Sequence, residues 1–133
     1  MTEATINKPA PKPRPKHLDI VRIRFPLPSI VSILHRVSGA GLFLLLPFLL
    51  YLFDKSLESS ASFDVFSEIV SHPLAKLVLL GLLWAYLHHF CAGIRFLFLD
   101  IDKGLDLPCA RRSSYAVLAV SLALTFIIGV KSW

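Results

Sequence analysis

Two adjacent histidines, His88 and His89, lie inside a long apolar stretch of this 133-residue chain, with Trp84, Tyr86 and Arg95 nearby. Ionisable groups inside a hydrophobic helix are expensive. An arginine at such a helix centre costs about 2.5–3.5 kcal/mol on insertion scales, so these residues point to function. Gly81, Ala85, His89 and Gly93 recur every four residues, which places them on one helix stripe. Two readings fit that stripe. One is close helix packing, with the imidazole hydrogen-bonded across the interface. The other is a slot for a flat macrocycle, in which small residues clear room and the imidazole ligates iron. His88 points about 100° away, with Ala85 and Ala92 as its small neighbours, and spacing alone does not exclude it as the ligand.

A second polar patch precedes the first. Ser29, Ser32 and Arg36 fall at i, i+3 and i+7, on one helix face that Gly39 continues. Read conservatively, the patch is a helix-packing surface with an arginine reaching to the membrane surface. Read chemically, it is a pocket for a polar head group. A quinone suits it, because its carbonyls need donors such as a hydroxyl and a guanidinium. His35 and Arg36 lie roughly 10–12 Å of helix inside Pro28, and His89 is about 16 Å in from Asp100. These depths are similar, so a haem held at His89 is within reach of His35 and Arg36 for its propionates.

The elements that must position these groups are legible from composition. Apolar residues make up 55% and charged residues 17%, against about 45–50% and 25% for a soluble domain. The excess is concentrated in three blocks, 29–53, 73–99 and 113–130, of which the first makes about 37 Å of helix. Such runs are too long for strands, and only helices or closed barrels satisfy their backbone in lipid. The expected fold is all-α, an integral membrane protein with three transmembrane helices and short connections, preceded by a basic, proline-rich arm and interfacial segment over 1–28. Pro73 fits the first turn of the second helix, with Ser71 as its cap. Pro47 is expected to kink the first helix, and Asp102-Lys103-Gly104 and Pro108 to break the chain before the third.

The net charge of +5 is read as topological. Lys8, Lys12, Arg14, Lys16, Arg22, Arg24 and Arg36 lie on one side with Arg95, Lys103, Arg111 and Arg112. The other side holds Lys55, Lys76 and Lys131. The positive-inside rule then puts the N-terminus in the cytoplasm, and nucleic-acid binding is not expected. Arg95 is expected to snorkel to the cytoplasmic surface. Cys91 and Cys109 match no metal or redox spacing and read as packing residues.

Two motifs in register carry a family resemblance. Arg14-Pro15 with Leu18-Asp19 leads into Ser32-Ile33-Leu34-His35-Arg36-Val37-Ser38-Gly39, and one helix later His89 is followed by Gly93-Ile94-Arg95-Phe96 and Asp100. The chain resembles, over nearly its whole length, the cytochrome b membrane-anchor subunit of succinate dehydrogenase. Many relatives have histidine where this chain has Phe96, and His88 adds a second imidazole beside the expected one.

The resemblance implies half of a heterodimeric haem-binding anchor, acting in electron transport and the tricarboxylic acid cycle. The N-terminal residues, with Glu3 and little serine, do not read as a transit peptide, so a bacterial inner membrane is expected ahead of a mitochondrial one. His89 matches the haem b axial ligand (the metal-binding residue), and a second anchor subunit supplies the other ligand. Ser32 and Arg36 match residues lining the ubiquinone site, and His35 and Arg36 match groups near the haem propionates. The implied partners are the second small anchor, an iron–sulfur subunit, a flavoprotein subunit and the lipid bilayer. With no flavin motif or cysteine cluster in view, the chain is expected to act as a subunit of the enzyme, with no catalytic residue for the dicarboxylate. Three alternatives stay open at this point: a haem-free scaffold for soluble enzymes, a fumarate reductase-type anchor, and a haem held by His35 and His89 of this one chain.

Overall fold

The computed structural model describes residues 23–132. The arm motifs around Arg14-Pro15 and Leu18-Asp19 lie outside the described residues. Four helices follow in order: α1 Leu27–Leu57, α2 Ser60–Ser71, α3 Pro73–Asp100 and α4 Leu107–Ser132. Helices α1, α3 and α4 are each long and apolar enough to cross a membrane, and no strand is present among the described residues. At about 1.5 Å per residue, all three exceed the roughly 30 Å hydrocarbon core, so their ends reach the headgroup level.

The connections differ from the sequence reading. The segment between the first two spans is largely a helix of its own. Ser59 caps α2, its hydroxyl accepting from the Ser62 backbone N–H while the Ser62 hydroxyl accepts from that of Ser59. The cap of α3 is His72 rather than Ser71. Its Nδ1 accepts from the Leu74 N–H at 3.2 Å, and Pro73 occupies the first turn as expected. Pro47 sits inside α1 without ending it. Pro108 lies in the first turn of α4, where its missing N–H leaves no helical bond unmade, so it starts that helix instead of breaking the chain. The reversal between α3 and α4 is made by Asp102 (φ 58°) and Gly104 (φ 79°). Both take the left-handed conformation that glycine adopts at no steric cost.

Helix α3 is central and packs along both α1 and α4, while α2 lies against α1 and α3. The three spans meet at a small apolar cluster of Val31, Ala92 and Val117, flanked by Cys91, Phe96 and Leu118. The buried face of α4 is otherwise small or hydroxylated: Ser114, Ser121, Thr125 and Gly129. A Cβ on Gly129 would stand 2.9 Å from Leu80 Cδ1, so the absent side chain lets these two helices approach. The hydroxyls of Ser114, Ser121 and Thr125 all bond carbonyls of α4 itself. Large apolar residues such as Phe43, Leu44, Phe53, Leu122 and Phe126 point outward, as lipid or a partner helix requires.

Candidate functional site

His89 lies on the side of α3 that faces α1, and three features of α1 hold its ring. Its Nδ1 is 2.9 Å from the carbonyl oxygen of His35. A carbonyl only accepts, so Nδ1 carries the hydrogen and the lone pair of the neutral ring is on Nε2. The Ser38 hydroxyl, which donates to the same carbonyl at 3.0 Å, stands 3.4 Å from Nδ1. The His35 imidazole stacks on one face of the His89 ring, with centroids 4.1 Å apart and planes 10° from parallel.

Gly39 is the reason the ring fits. A Cβ there would sit 2.7 Å from His89 Cε1 and 3.1 Å from Nδ1, closer than carbon atoms approach without repulsion. Gly93, one turn along α3, gives similar but looser clearance, its Cβ position being 3.7 Å from His35 Nε2. Thus Gly93 and His89 of the expected stripe do face α1, whereas Gly81 at its other end has open space beside it. No residue among those described bonds Nε2 of His89.

His88 has a different environment. It is fully buried within the chain, beside Trp84 at a ring separation of 5.3 Å. Among the described residues neither of its nitrogens meets hydrogen-bond geometry, the Val31 backbone being its polar neighbour, and the Trp84 indole N–H is equally unpartnered.

The second patch is a real cleft. Ser29, Ser32 and Arg36 line a space of about 450 Å³ together with Phe25, Pro28 and Ile33 of the same chain segment and Arg95, Phe96 and Leu99 of α3. Ser29 and Ser32 are half-buried and Arg36 is exposed. Hydroxyl and guanidinium donors therefore share one wall with apolar and aromatic carbon, an arrangement suited to a flat ligand with polar oxygens. His35 links the two regions. Its backbone oxygen holds His89 while its ring lies 5.0 Å from that of Phe96, a wall residue of the cleft.

Arg95 corrects an expectation. It does not snorkel outward but is 7% exposed, with Nε donating to the Ser113 hydroxyl of α4 at 2.9 Å. Ser38 and Ser113 are the contributors that residue spacing left unassigned, and Gly39, which spacing put on the face of Ser32 and Arg36, lies against His89. Ser38 and Gly39 stand within the quoted Ser32–Gly39 motif, but their contacts with α3 depend on how the helices pair. Cys91 packs by the apolar cluster as expected, whereas Cys109 is exposed.

Similarity to known proteins covers most of the chain. Residues 10–128 match the family model of the succinate dehydrogenase/fumarate reductase transmembrane subunit. The succinate dehydrogenase cytochrome b556 subunit of Coxiella burnetii is 37% identical over 121 residues, covering 90% of this chain and 97% of that protein. The subunit of the same name from Paracoccus denitrificans is 32% identical over 113 residues, 85% of each chain. That of Rickettsia felis is 29% identical over 119 residues, 90% of this chain and 91% of the relative. A match over that much of the sequence, on a chain whose three long helices carry their apolar bulk outward, has one consequence: this chain belongs to the succinate dehydrogenase/fumarate reductase transmembrane subunit family.

Proposed function

We propose that this chain is a cytochrome b anchor of a succinate:quinone oxidoreductase. In this reading it tethers the flavoprotein and iron–sulfur subunits to a bacterial inner membrane, with its N-terminus cytoplasmic. It supplies His89 as one axial ligand of a haem b shared with a second small anchor, and Ser32 and Arg36 as part of a ubiquinone site. The names of the bacterial relatives point the same way.

The hold on His89 is the observation that carries the reading. Metal-bound histidines ordinarily donate their second ring N–H to a carbonyl or carboxylate, which fixes tautomer and orientation. Nδ1 of His89 does this towards the His35 carbonyl. His35 covers a ring face and Gly39 meets the Cε1 edge, which leaves the Nε2 lone pair as the atom that would hold the haem iron. The same stacking argues against a haem held between His35 and His89 of one chain, because parallel rings 4.1 Å apart leave no room for a macrocycle between them. His88, enclosed by its own chain, cannot meet a macrocycle without opening the bundle.

Bound haem supplies one-electron redox capacity at a potential set by its ligands and surroundings. The chain's own contribution is geometric. His89 presents a single lone pair, and His35 and Arg36 stand nearby as donors for propionates. Ser32 and Arg36 donate to quinone oxygens in a cleft that borders the first turns of α1. That position, near the end of a span, lets protons reach the reduced quinone from water at the membrane surface.

Three substitutions in the assembled complex test the reading. His89→Ala removes the b-type reduced-minus-oxidised spectrum. Loss of the spectrum in His88→Ala with retention in His89→Ala refutes the ligand assignment, and a purified complex with no haem absorbance leaves only a tether. Ser32→Ala lowers succinate-to-quinone activity while succinate-to-dye activity persists, and a parallel fall in both assigns the cleft to assembly.

A further inference from the structure

Arg95 faces a second space besides the cleft with Arg36. Between the C-terminal half of α3 and the N-terminal half of α4 lies a cavity of about 380 Å³. Apolar side chains, Ile94, Phe98 and Leu99 among them, line it together with Arg95, Lys103 and Ser113. We propose that this cavity binds the phosphate headgroup of an anionic phospholipid, with Arg95 and Lys103 as its cationic ligands. The inference rests on the proposed orientation, which puts this end of α3 on the cytoplasmic side, and does not depend on haem or quinone.

Charge is the first ground. A guanidinium has five N–H donors, and Arg95 uses one of its nitrogens, Nε, on Ser113. It is 93% buried by side-chain and backbone packing, since only 7% remains exposed. No carboxylate lies within 4.0 Å of Arg95 or Lys103 among the described residues. A buried cation without a counter-ion is strongly unfavourable, and pairing with an anion relieves it. Among the described residues, no hydrogen bond other than that to Ser113 is made by its guanidinium.

Position is the second ground. Arg95 is five residues from the end of α3, about 7–8 Å of helix, which is headgroup depth in a span of this length. Lys103 stands beyond it in the turn. The positive end of the α4 dipole borders the cavity through Cys109 in its first turn, a setting that favours an anion. The last carbonyls of α3 are occupied by the turn itself, with the Asp102 N–H on Leu99 O and the Lys103 N–H on Phe98 O, both at 3.0 Å. The acidic groups of this region, Asp100, Asp102 and Asp106, are exposed and absent from the lining. Basic pockets between spans on the cytoplasmic side characteristically recognise anionic headgroups, and the apolar walls here suit the start of an acyl chain.

The test uses the complex purified in detergent, stripped of lipid, and exposed to mixed micelles of phosphatidylglycerol and phosphatidylcholine. Bound lipid per complex is read by mass spectrometry. Wild type retains phosphatidylglycerol preferentially. Lys103 is exposed in a turn, so Lys103→Gln folds, and it lowers the phosphatidylglycerol-to-phosphatidylcholine ratio at this site by about fivefold, as expected for one basic residue near a membrane surface. Arg95→Gln lowers the ratio further. Equal retention of the two lipids in wild type overturns the proposal, as does an unchanged ratio in Lys103→Gln. Displacement of the lipid by millimolar inorganic phosphate assigns the site to free phosphate and overturns the lipid assignment.

Discussion

Substituting Gly39 with alanine isolates the fit of His89 from every other property of the site. The new Cβ would stand 2.7 Å from His89 Cε1 and 3.1 Å from Nδ1. Relaxed carbon contacts are about 3.5–4.0 Å, so the ring or the helix must give by about 0.8 Å or more. Giving way is costly because the ring is tied twice, to the His35 carbonyl at 2.9 Å and to the stacked His35 ring. Moving it by that amount takes the hydrogen bond past the roughly 3.2 Å limit of good geometry. Overpacking of this kind costs about 1–3 kcal/mol. Alanine's better helix propensity returns up to about 1 kcal/mol to α1, so the complex still assembles while the penalty falls on the orientation of His89. If the cost is expressed in haem affinity, 1–3 kcal/mol corresponds to about a 5- to 150-fold weakening. The assay is haem per flavin and the reduced-minus-oxidised band in the purified complex. Gly41→Ala is the matched control, since a Cβ there meets nothing within 4 Å, and it leaves both readings unchanged. Full haem with an unshifted band in Gly39→Ala refutes the reasoning, and so does equal loss in Gly41→Ala.

Two further outcomes are expected. His88→Leu exchanges two unpartnered ring nitrogens for carbon of similar size. An unsatisfied buried polar group costs about 1–3 kcal/mol, so thermal unfolding of the complex occurs at an equal or higher temperature, with the haem spectrum intact. A clear drop in that temperature means the imidazole is satisfied in the membrane by some other group. Ser113→Ala removes the hydroxyl that accepts from Arg95 and lowers stability by about 1.5–3 kcal/mol, the range for hydrogen bonds to charged groups. Ser113→Thr restores it, and failure of threonine to rescue points to packing instead of the hydroxyl.

The long spans were readable because hydropathy reports what lipid demands, and lipid acts on every residue of a crossing helix. Helix α2 escaped that reading because its amphipathic sequence has no long apolar run. Its signal was local: Ser59 and Ser62 form a capping box with serine at the third position, where glutamate or glutamine is the usual mark. The start of α4 was placed six residues late, since Arg111 and Arg112 stop an apolar run without stopping a helix. The adjacent histidines show the other boundary. Helical spacing sets them about 100° apart, but which of them meets α1 depends on helix pairing, and only that pairing sends His88 inward among its own chain. Arg95 is similar: its depth was legible, its turn towards Ser113 was not. The Ser29, Ser32 and Arg36 face was legible because three residues on one helix suffice to define it, whereas its far wall of Arg95, Phe96 and Leu99 comes from α3.

The hydroxyls on the inner face of α4 bear on how the bundle is made. Ser114, Ser121 and Thr125 bond carbonyls of α4, and those bonds exist equally in a solitary helix surrounded by acyl chains. In lipid, helix association relies on close van der Waals contact more than on hydrophobic gain. Helix α4 can therefore leave the translocation machinery with its seryl and threonyl groups already satisfied, drift as a separate insertion unit, and dock on α3 through the notch at Gly129. No hydrogen bond of these three residues must be broken in that step, so docking of α4 carries no desolvation cost for their hydroxyls.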